Sequence, residues 1–320
     1  METNKLSKIA DNFKGKKIGV VGDLMLDHFM WGDVRRISPE APVPVVSVTR
    51  ESFVPGGAAN TANNIVALRG EVFIIGVVGS DVAGRQLISE LKKGKVNTDG
   101  IFTDKNRVTT QKIRVVDKDQ QVVRADKEKT EDINKRQEKQ AIDFITSHIK
   151  DWDGLVVSDY NKGIVTINLI QKIIKLAGRY KKTIIADTKP THFSYFKNIT
   201  LLVPNNKEAV AMAGTDDIKE AGKIIQKQLN CNVLIKRGAK GMTLFENSRV
   251  KNFPTKAKEV FDVVGAGDTV AATLILALVS GANLGQAVML ANHAAGIVVG
   301  KIGTAVVSLE ELKKDLKNEL

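Results

Sequence analysis

The chain has 320 residues, 48 Lys+Arg against 36 Asp+Glu, one cysteine and a formal net charge of +12. That length suits one large domain or two small ones, and 43% hydrophobic with 26% charged residues excludes wholesale disorder. Cys231 has no partner for an internal disulfide, which excludes a stapled secreted scaffold and favours a reducing, cytoplasmic setting.

Residues 1–17 are polar and charged, without the apolar stretch of a signal peptide. Residues 18–21 read as a buried strand that ends in a segment carrying Asp23 and Asp27. Residues 42–48 are strand-like, but Pro42 and Pro44 confine them to a sheet edge. A glycine pair, Gly56 and Gly57, precedes a small-residue helix at 61–68, and a strand follows at 72–78. Runs at 111–116 and 121–125 flank Asp117-Lys118-Asp119-Gln120 and read as a β-hairpin. Residues 127–139 mix both charge signs along what reads as a solvated helix. Helical spacing recurs at 133–149 and 167–177, interleaved with short strands at 155–157, 183–186, 200–203 and 233–236. The apolar run 270–279 is too short to span a bilayer and reads as a helix stopped at Gly281. Strands alternating with helices imply an α/β fold, a mostly parallel sheet covered on both faces. The proline-flanked strand and the hairpin break that alternation and suit a small accessory sheet. We therefore expect a single domain over 1–320, with lid insertions at about 28–50 and 108–126.

The segment Asp262-Val263-Val264-Gly265-Ala266-Gly267-Asp268 carries the most chemistry. Its glycines let the backbone turn tightly and aim successive N–H groups at one point, and the helix that follows adds the positive end of its dipole. Such a turn favours an anion such as a transferring phosphoryl group. Asp268 reads either as a reacting carboxylate or as a helix cap. Asn60, behind the glycine pair, suits sugar hydroxyls or a cap. Asp23 and Asp27 stand past the carboxyl end of a strand, where ligands of open α/β sheets bind; capping is the other reading of Asp23. Asn205 and Glu208, three apart in Asn205-Asn206-Lys207-Glu208, suit Mg²⁺ and its waters or form a capping box.

Several classes fall away. There is no Gly-x-x-x-x-Gly-Lys-Ser/Thr, so no P-loop, and the four histidines have no zinc spacing. Basic residues are scattered and aromatics make up only 5%, so no nucleic-acid site and no membrane association is expected. Some of the excess cations suit an anionic small substrate instead.

The segment 262–268 resembles the C-terminal signature of the ribokinase-like (PfkB) carbohydrate kinases, and 56–60 their N-terminal glycine signature. More narrowly, Arg36-Ile37-Ser38-Pro39-Glu40-Ala41-Pro42-Val43-Pro44, Val123-Arg124-Ala125-Asp126, Ser158-Asp159-Tyr160-Asn161-Lys162-Gly163 and residues 292–303 resemble the heptose-7-phosphate kinases of ADP-heptose synthesis. The resemblance runs from about Lys16 to the C-terminus. It implies a ribokinase-like three-layer α/β/α sandwich with a β-sheet lid. It also implies ATP-dependent phosphorylation at O1 of D-glycero-β-D-manno-heptose 7-phosphate, on the way to the lipopolysaccharide core. In that family pattern Asp268 is the catalytic base, and Gly265, Ala266 and Gly267 form the anion hole. Asn205, Asn206, Lys207 and Glu208 belong to the ATP–Mg²⁺ site, with further nucleotide contacts at Arg237, Gly238, Gly241 and Asn292. Asp23, Asp27, Gly56, Gly57, Asn60 and Asp187 face the sugar, while Arg124, Lys162 and Lys189 are the candidates for its 7-phosphate. A monovalent cation is left open. Where relatives commonly read Asp-Pro-Lys, this chain reads Asp187-Thr188-Lys189, which leaves that loop's rigidity open. Relatives often carry a second, nucleotidyltransferase domain; with no His-x-Gly-His in the chain, the kinase step alone is expected. The exposed lid edges predict a homodimer. The alternatives are another ribokinase-like sugar or nucleoside kinase, or a catalytically silent sugar-binding regulator.

Overall fold

The computed structural model describes residues 2–117, 120–257, 259–301 and 303–318. Two sheets organise it. The larger has nine strands in the order β13-β12-β11-β10-β9-β8-β1-β4-β5. These are β1 Lys17–Gly22, β4 Glu71–Gly79, β5 Asn97–Asp104, β8 Gly154–Ser158, β9 Thr183–Asp187, β10 Leu201–Leu202, β11 Asn232–Lys236, β12 Met242–Glu246 and β13 Arg249–Phe253. All pair in parallel except β12 and β13, which close one edge as an antiparallel ribbon. Central strands such as β8 are buried at every position, as a sheet covered on both faces requires.

Each face has its own core. One packs α2 Ala58–Ala67, α8 Ala266–Val279 and α9 Leu284–Val298 over the sheet; the other packs α4 Lys135–His148, α5 Ile167–Tyr180 and α7 Ile218–Leu229. The helices start where their sequences offer caps: Asn134 accepts from Arg136 N–H at the head of α4, and Thr166 from Leu169 N–H at the head of α5. This arrangement gives the α/β/α sandwich expected from the sequence.

The smaller sheet has the order β3-β2-β6-β7, from β2 Leu24–Ile37, β3 Pro44–Gly57, β6 Thr110–Asp117 and β7 Gln120–Lys127. The proline-flanked strand lies at an edge and the hairpin is present, although its turn residues Lys118 and Asp119 lie outside the described residues, as does Ile302 of the segment 292–303. The lid is longer than the sequence suggests. Residues 24–27, expected in a loop, already form the start of β2, which continues from β1 across Asp23 alone. The charged stretch 127–139 is helical only from Lys135; Asn134 stops the helix from starting earlier, and Arg107 binds the carbonyls of Lys129 and Glu131 in the irregular part. No helix among the described residues is long and apolar enough to cross a membrane.

Candidate active site

Register brings the chemistry to one end. Gly22, Ser158 and Asp187 are paired neighbours at the carboxyl ends of β1, β8 and β9, and Lys236 ends β11 nearby. The glycine turn comes to the same end. Gly265 is the N-cap of α8 with φ of 81°, a conformation that favours glycine, and a Cβ there would lie 2.6 Å from Asn60 Nδ2. Residues 265–267 are half-buried, and the Ala266 N–H donates to Val263 O at 3.3 Å.

Asp268 stands within the first turn of α8 and is only 4% exposed. Its carboxylate does not cap the helix. Asn60 Nδ2 donates to Oδ2 at 2.8 Å, while Thr61 Oγ1 and Tyr160 OH donate to Oδ1 at 3.0 and 2.8 Å. Burial pushes its pKa up to about 6, the Asp187 charge adds to that, and the three donors oppose it. Such a group is ionised at neutral pH yet basic enough to accept a hydroxyl proton. Tyr160, half-buried beside Asp268 and Asp187, is held well above the ordinary phenol range by desolvation and by those two carboxylates, and so stays a donor.

The other carboxylates of this end have fixed cations. Asp187 pairs with Lys236. Burial raises its pKa, with Glu208 adding and Lys236 opposing. Glu208 Oε1 pairs with Lys189 Nζ at 2.5 Å, and Glu208 Oε2 accepts from Asn205 N–H at 2.8 Å while Asn205 Oδ1 accepts from Glu208 N–H at 3.0 Å. The capping box is thus real. Burial works against the Lys189 charge, but Glu208 outweighs it and holds that ammonium above its usual range. Each Glu208 oxygen carries one hydrogen bond and keeps a second lone pair, so the carboxylate could still meet Mg²⁺ through a water, although the described residues hold no cluster of three or more His, Cys, Asp or Glu suited to a metal. The donor set as it stands does not fit a directly held divalent ion. A nucleotide fits better: Asn206 Oδ1, Arg237 Nε and Thr304 Oγ1 are buried polar atoms without a hydrogen-bond partner, and Thr304 sits beside the glycine turn.

Several residues expected at the sugar serve the scaffold or the base. Asp23 accepts from the backbone of Tyr160, Lys162 and Ile164, which is the capping reading; burial raises its pKa to about 6. Asn60 spends its amide on Asp268. A Cβ on Gly56 would lie 2.6 Å from Asp27 Oδ2, and one on Gly57 2.7 Å from Asp23 O, so the glycine pair lets β3 pass close to β2. Asp27 binds Arg114 at 2.6 Å. Lys162 pairs with Glu128 at 2.8 Å, Lys207 is exposed, and Asn292 Nδ2 donates to Pro254 O at 2.6 Å. Arg237, Gly238 and Gly241 form the turn after β11, where Arg237 N–H donates to Gly241 O. The loop that lacks the expected proline is fixed otherwise: Thr188 Oγ1, Lys189 N–H and the His192 ring all bond to Asp159 Oδ2.

Sequence reasoning missed Thr61, Tyr160 and Lys236 around Asp268, and Lys112 and Arg114 in the lid. The lid face that carries Asp27 also carries Lys112, Arg114 and Arg124, and Asp27 adds to the electrostatic push on Tyr160, so this face looks onto the site. Arg114 stands directly opposite Arg124 in the β6–β7 register. Burial, then the Arg124 charge, lowers the pKa of Lys112.

A family model described as pfkB family carbohydrate kinase matches residues 16–312. The chain belongs to the pfkB family of carbohydrate kinases. It is 43% identical over 303 residues to the bifunctional protein HldE of Helicobacter pylori strain HPAG1 and 40% identical over 304 residues to that of Sulfurimonas denitrificans. Each match covers 93% of this chain but only 65% and 64% of those relatives, so the chain spans less than two thirds of their length. The fold is that of Arabidopsis thaliana ribokinase complexed with ribose and ATP, at a TM-score of 0.75 and 20% identity over 95% of this chain and 99% of that one. Phosphofructokinase-2 from Escherichia coli in complex with potassium superposes at a TM-score of 0.77 with 21% identity over the same shares.

Proposed function

We propose that this chain is an ATP-dependent kinase that phosphorylates O1 of D-glycero-β-D-manno-heptose 7-phosphate, yielding the 1,7-bisphosphate for ADP-heptose formation. The observation that carries the reading is Asp268: a carboxylate with a pKa near 6, held by three donors in the first turn of a helix whose opening amides face the same end of the sheet. The O1 oxygen attacks the γ-phosphorus of ATP, the bond to the β–γ bridging oxygen breaks, and its electron pair leaves with ADP. The O1 proton passes to Asp268. In a loose transition state it leaves late, so the carboxylate chiefly orients the hydroxyl. The amides at Gly265, Ala266 and Gly267 stabilise the equatorial oxygens.

The lid supports a phosphorylated sugar. Arg114 stands opposite Arg124 with half-buried Lys112 beside them; Asp27 and Asp126 balance the two guanidiniums, so Lys112 leaves this face one positive charge in excess for an anion. Arg124 already grips a carboxylate in two-pronged fashion, Nε and Nη2 on Asp126 at 2.9 Å each, the geometry it would use on phosphate. This patch joins Arg124 as the 7-phosphate site in preference to Lys162 and Lys189, whose carboxylate partners lie elsewhere. Magnesium would arrive with the nucleotide and act on its phosphates.

We further read residues 1–320 as one cytoplasmic catalytic unit with its lid, and as a homodimer. Ile37, Val43 and Val48 on β2, β3 and the turn between them, with Val122 and Val123 on β7, leave apolar surface along the lid that a second copy would cover. A monomeric sedimentation profile at micromolar concentration would sink the dimer. The kinase reading is tested by coupled ADP release over a panel of sugars. Turnover is expected with heptose 7-phosphate and not with fructose 6-phosphate or adenosine; preference for either of those would move the chain to another kinase of the fold, and no turnover over the panel would make it a silent regulator.

A further inference from the structure

The reaction just described leaves one buried cation without a task. Lys236 closes β11, tied by its N–H to Pro204 O at 2.9 Å, and its side chain is 16% exposed. Among the described residues the only acceptor that Lys236 Nζ reaches is Asp187 Oδ2, and an ammonium has three donors. A Cβ built on Gly267 would lie 3.3 Å from Lys236 Nζ and 3.5 Å from Asp187 Oδ2, so the pair stands directly against the glycine turn. Lys189 has no such position; it is committed to Glu208 and lies over the Tyr160 ring at 5.4 Å.

We propose that Lys236 is a nucleotide-binding residue that grips the terminal phosphate of ATP beside the glycine turn of residues 265–267. The proposal rests on the kinase reading for its ligand. Asp187 holds the ammonium in place through one of its three hydrogens, and the other two are left for phosphate oxygens. As the bond from the γ-phosphorus to the β–γ bridging oxygen breaks, charge collects on that oxygen and the β-phosphate, and a cation already fixed there stabilises it without reorganising.

The experiment is titration calorimetry of the purified full chain with MgATP and with AMP. Lys236→Met should weaken MgATP by roughly 10–100-fold, the scale of a charge-assisted hydrogen bond, and leave AMP within about twofold. Lys236→Arg should stay within a few-fold of wild type for both. Because Lys236→Met strands a half-buried Asp187, the double variant Lys236→Met/Asp187→Asn removes both charges together; its melting temperature checks the fold, and the same loss for MgATP alone is expected. Unchanged MgATP affinity in a folded double variant overturns the proposal, and so does an equal loss for AMP. A wild-type chain that binds no MgATP overturns it as well. A chain that binds MgATP but phosphorylates no sugar removes the kinase reading, while the MgATP/AMP contrast still decides the role of Lys236.

Discussion

The two sheets hold their charges in opposite ways. At the carboxyl end of the large sheet, Asp268 and Glu208 are buried and Asp187 is half-buried, and each has donors or a cation fixed on it. In the lid, Asp27 and Arg114 form a buried pair, but on β7 at its edge Arg124 and Asp126 pair in the open, with side chains 47% and 26% exposed. Buried charges are costly to uncover and need their partners in place, so the body can keep one geometry. An exposed pair contributes at most about 1 kcal/mol, so the lid can trade a carboxylate for a phosphate with little loss. On the proposed function, chemistry falls to the body and substrate choice to the lid.

The largest effect should come from the body. Asp268→Asn is expected to lower turnover by roughly 10²–10⁴ while leaving nucleotide affinity nearly intact, read by ADP release and calorimetry. An Asn variant with near-normal turnover would break the assignment. The same variant carries a stability signature. Burial raises Asp268 to about 6 in the fold, so its favourable contribution is full below the unfolded value of roughly 4 and is lost as pH rises through 6. Asp268→Asn should therefore melt above wild type at pH 8, by a margin that shrinks toward pH 4.

Next comes the lid. Arg124→Ala should raise KM for a phosphorylated sugar by roughly 10–100-fold, leave an unphosphorylated analogue unaffected and barely move the melting temperature. A drop in melting temperature comparable to that of a core truncation would place Arg124 in the scaffold instead. A smaller effect separates the two regions further. The acid limb of kcat/KM should fall near pH 6, and Tyr160→Phe, which removes one donor from Asp268 Oδ1, should shift it upward with a few-fold loss at pH 7. An unmoved limb would mean that another group titrates there.

The sequence made the strand-and-helix alternation and the glycine turn readable because both are local: buried strands are apolar throughout, and Gly-x-Gly before an apolar run is one turn of backbone. Convergence over long separations left no such trace. Asn60 and Asp268 are 208 residues apart, and nothing near Asn60 tells a sugar ligand from a partner of the base. Lys236 reads as the polar end of a strand until β9 sets Asp187 beside it. Arg114 was hidden in the alternation of β6, and only the pairing with β7 shows it facing Arg124. Asn205 and Glu208 were ambiguous for a different reason, since capping and ligation ask for the same residues at the same spacing.

The lid has no linker. β1 becomes β2 across Asp23, and β3 runs from Gly57 straight into α2, which carries Asn60 and Thr61. Asp23 in turn holds the backbone of Tyr160. A lever pivoting at that junction would swing on the very residues that grip the Asp268 carboxylate, so shutting over the sugar and squaring up the proton acceptor become a single stroke.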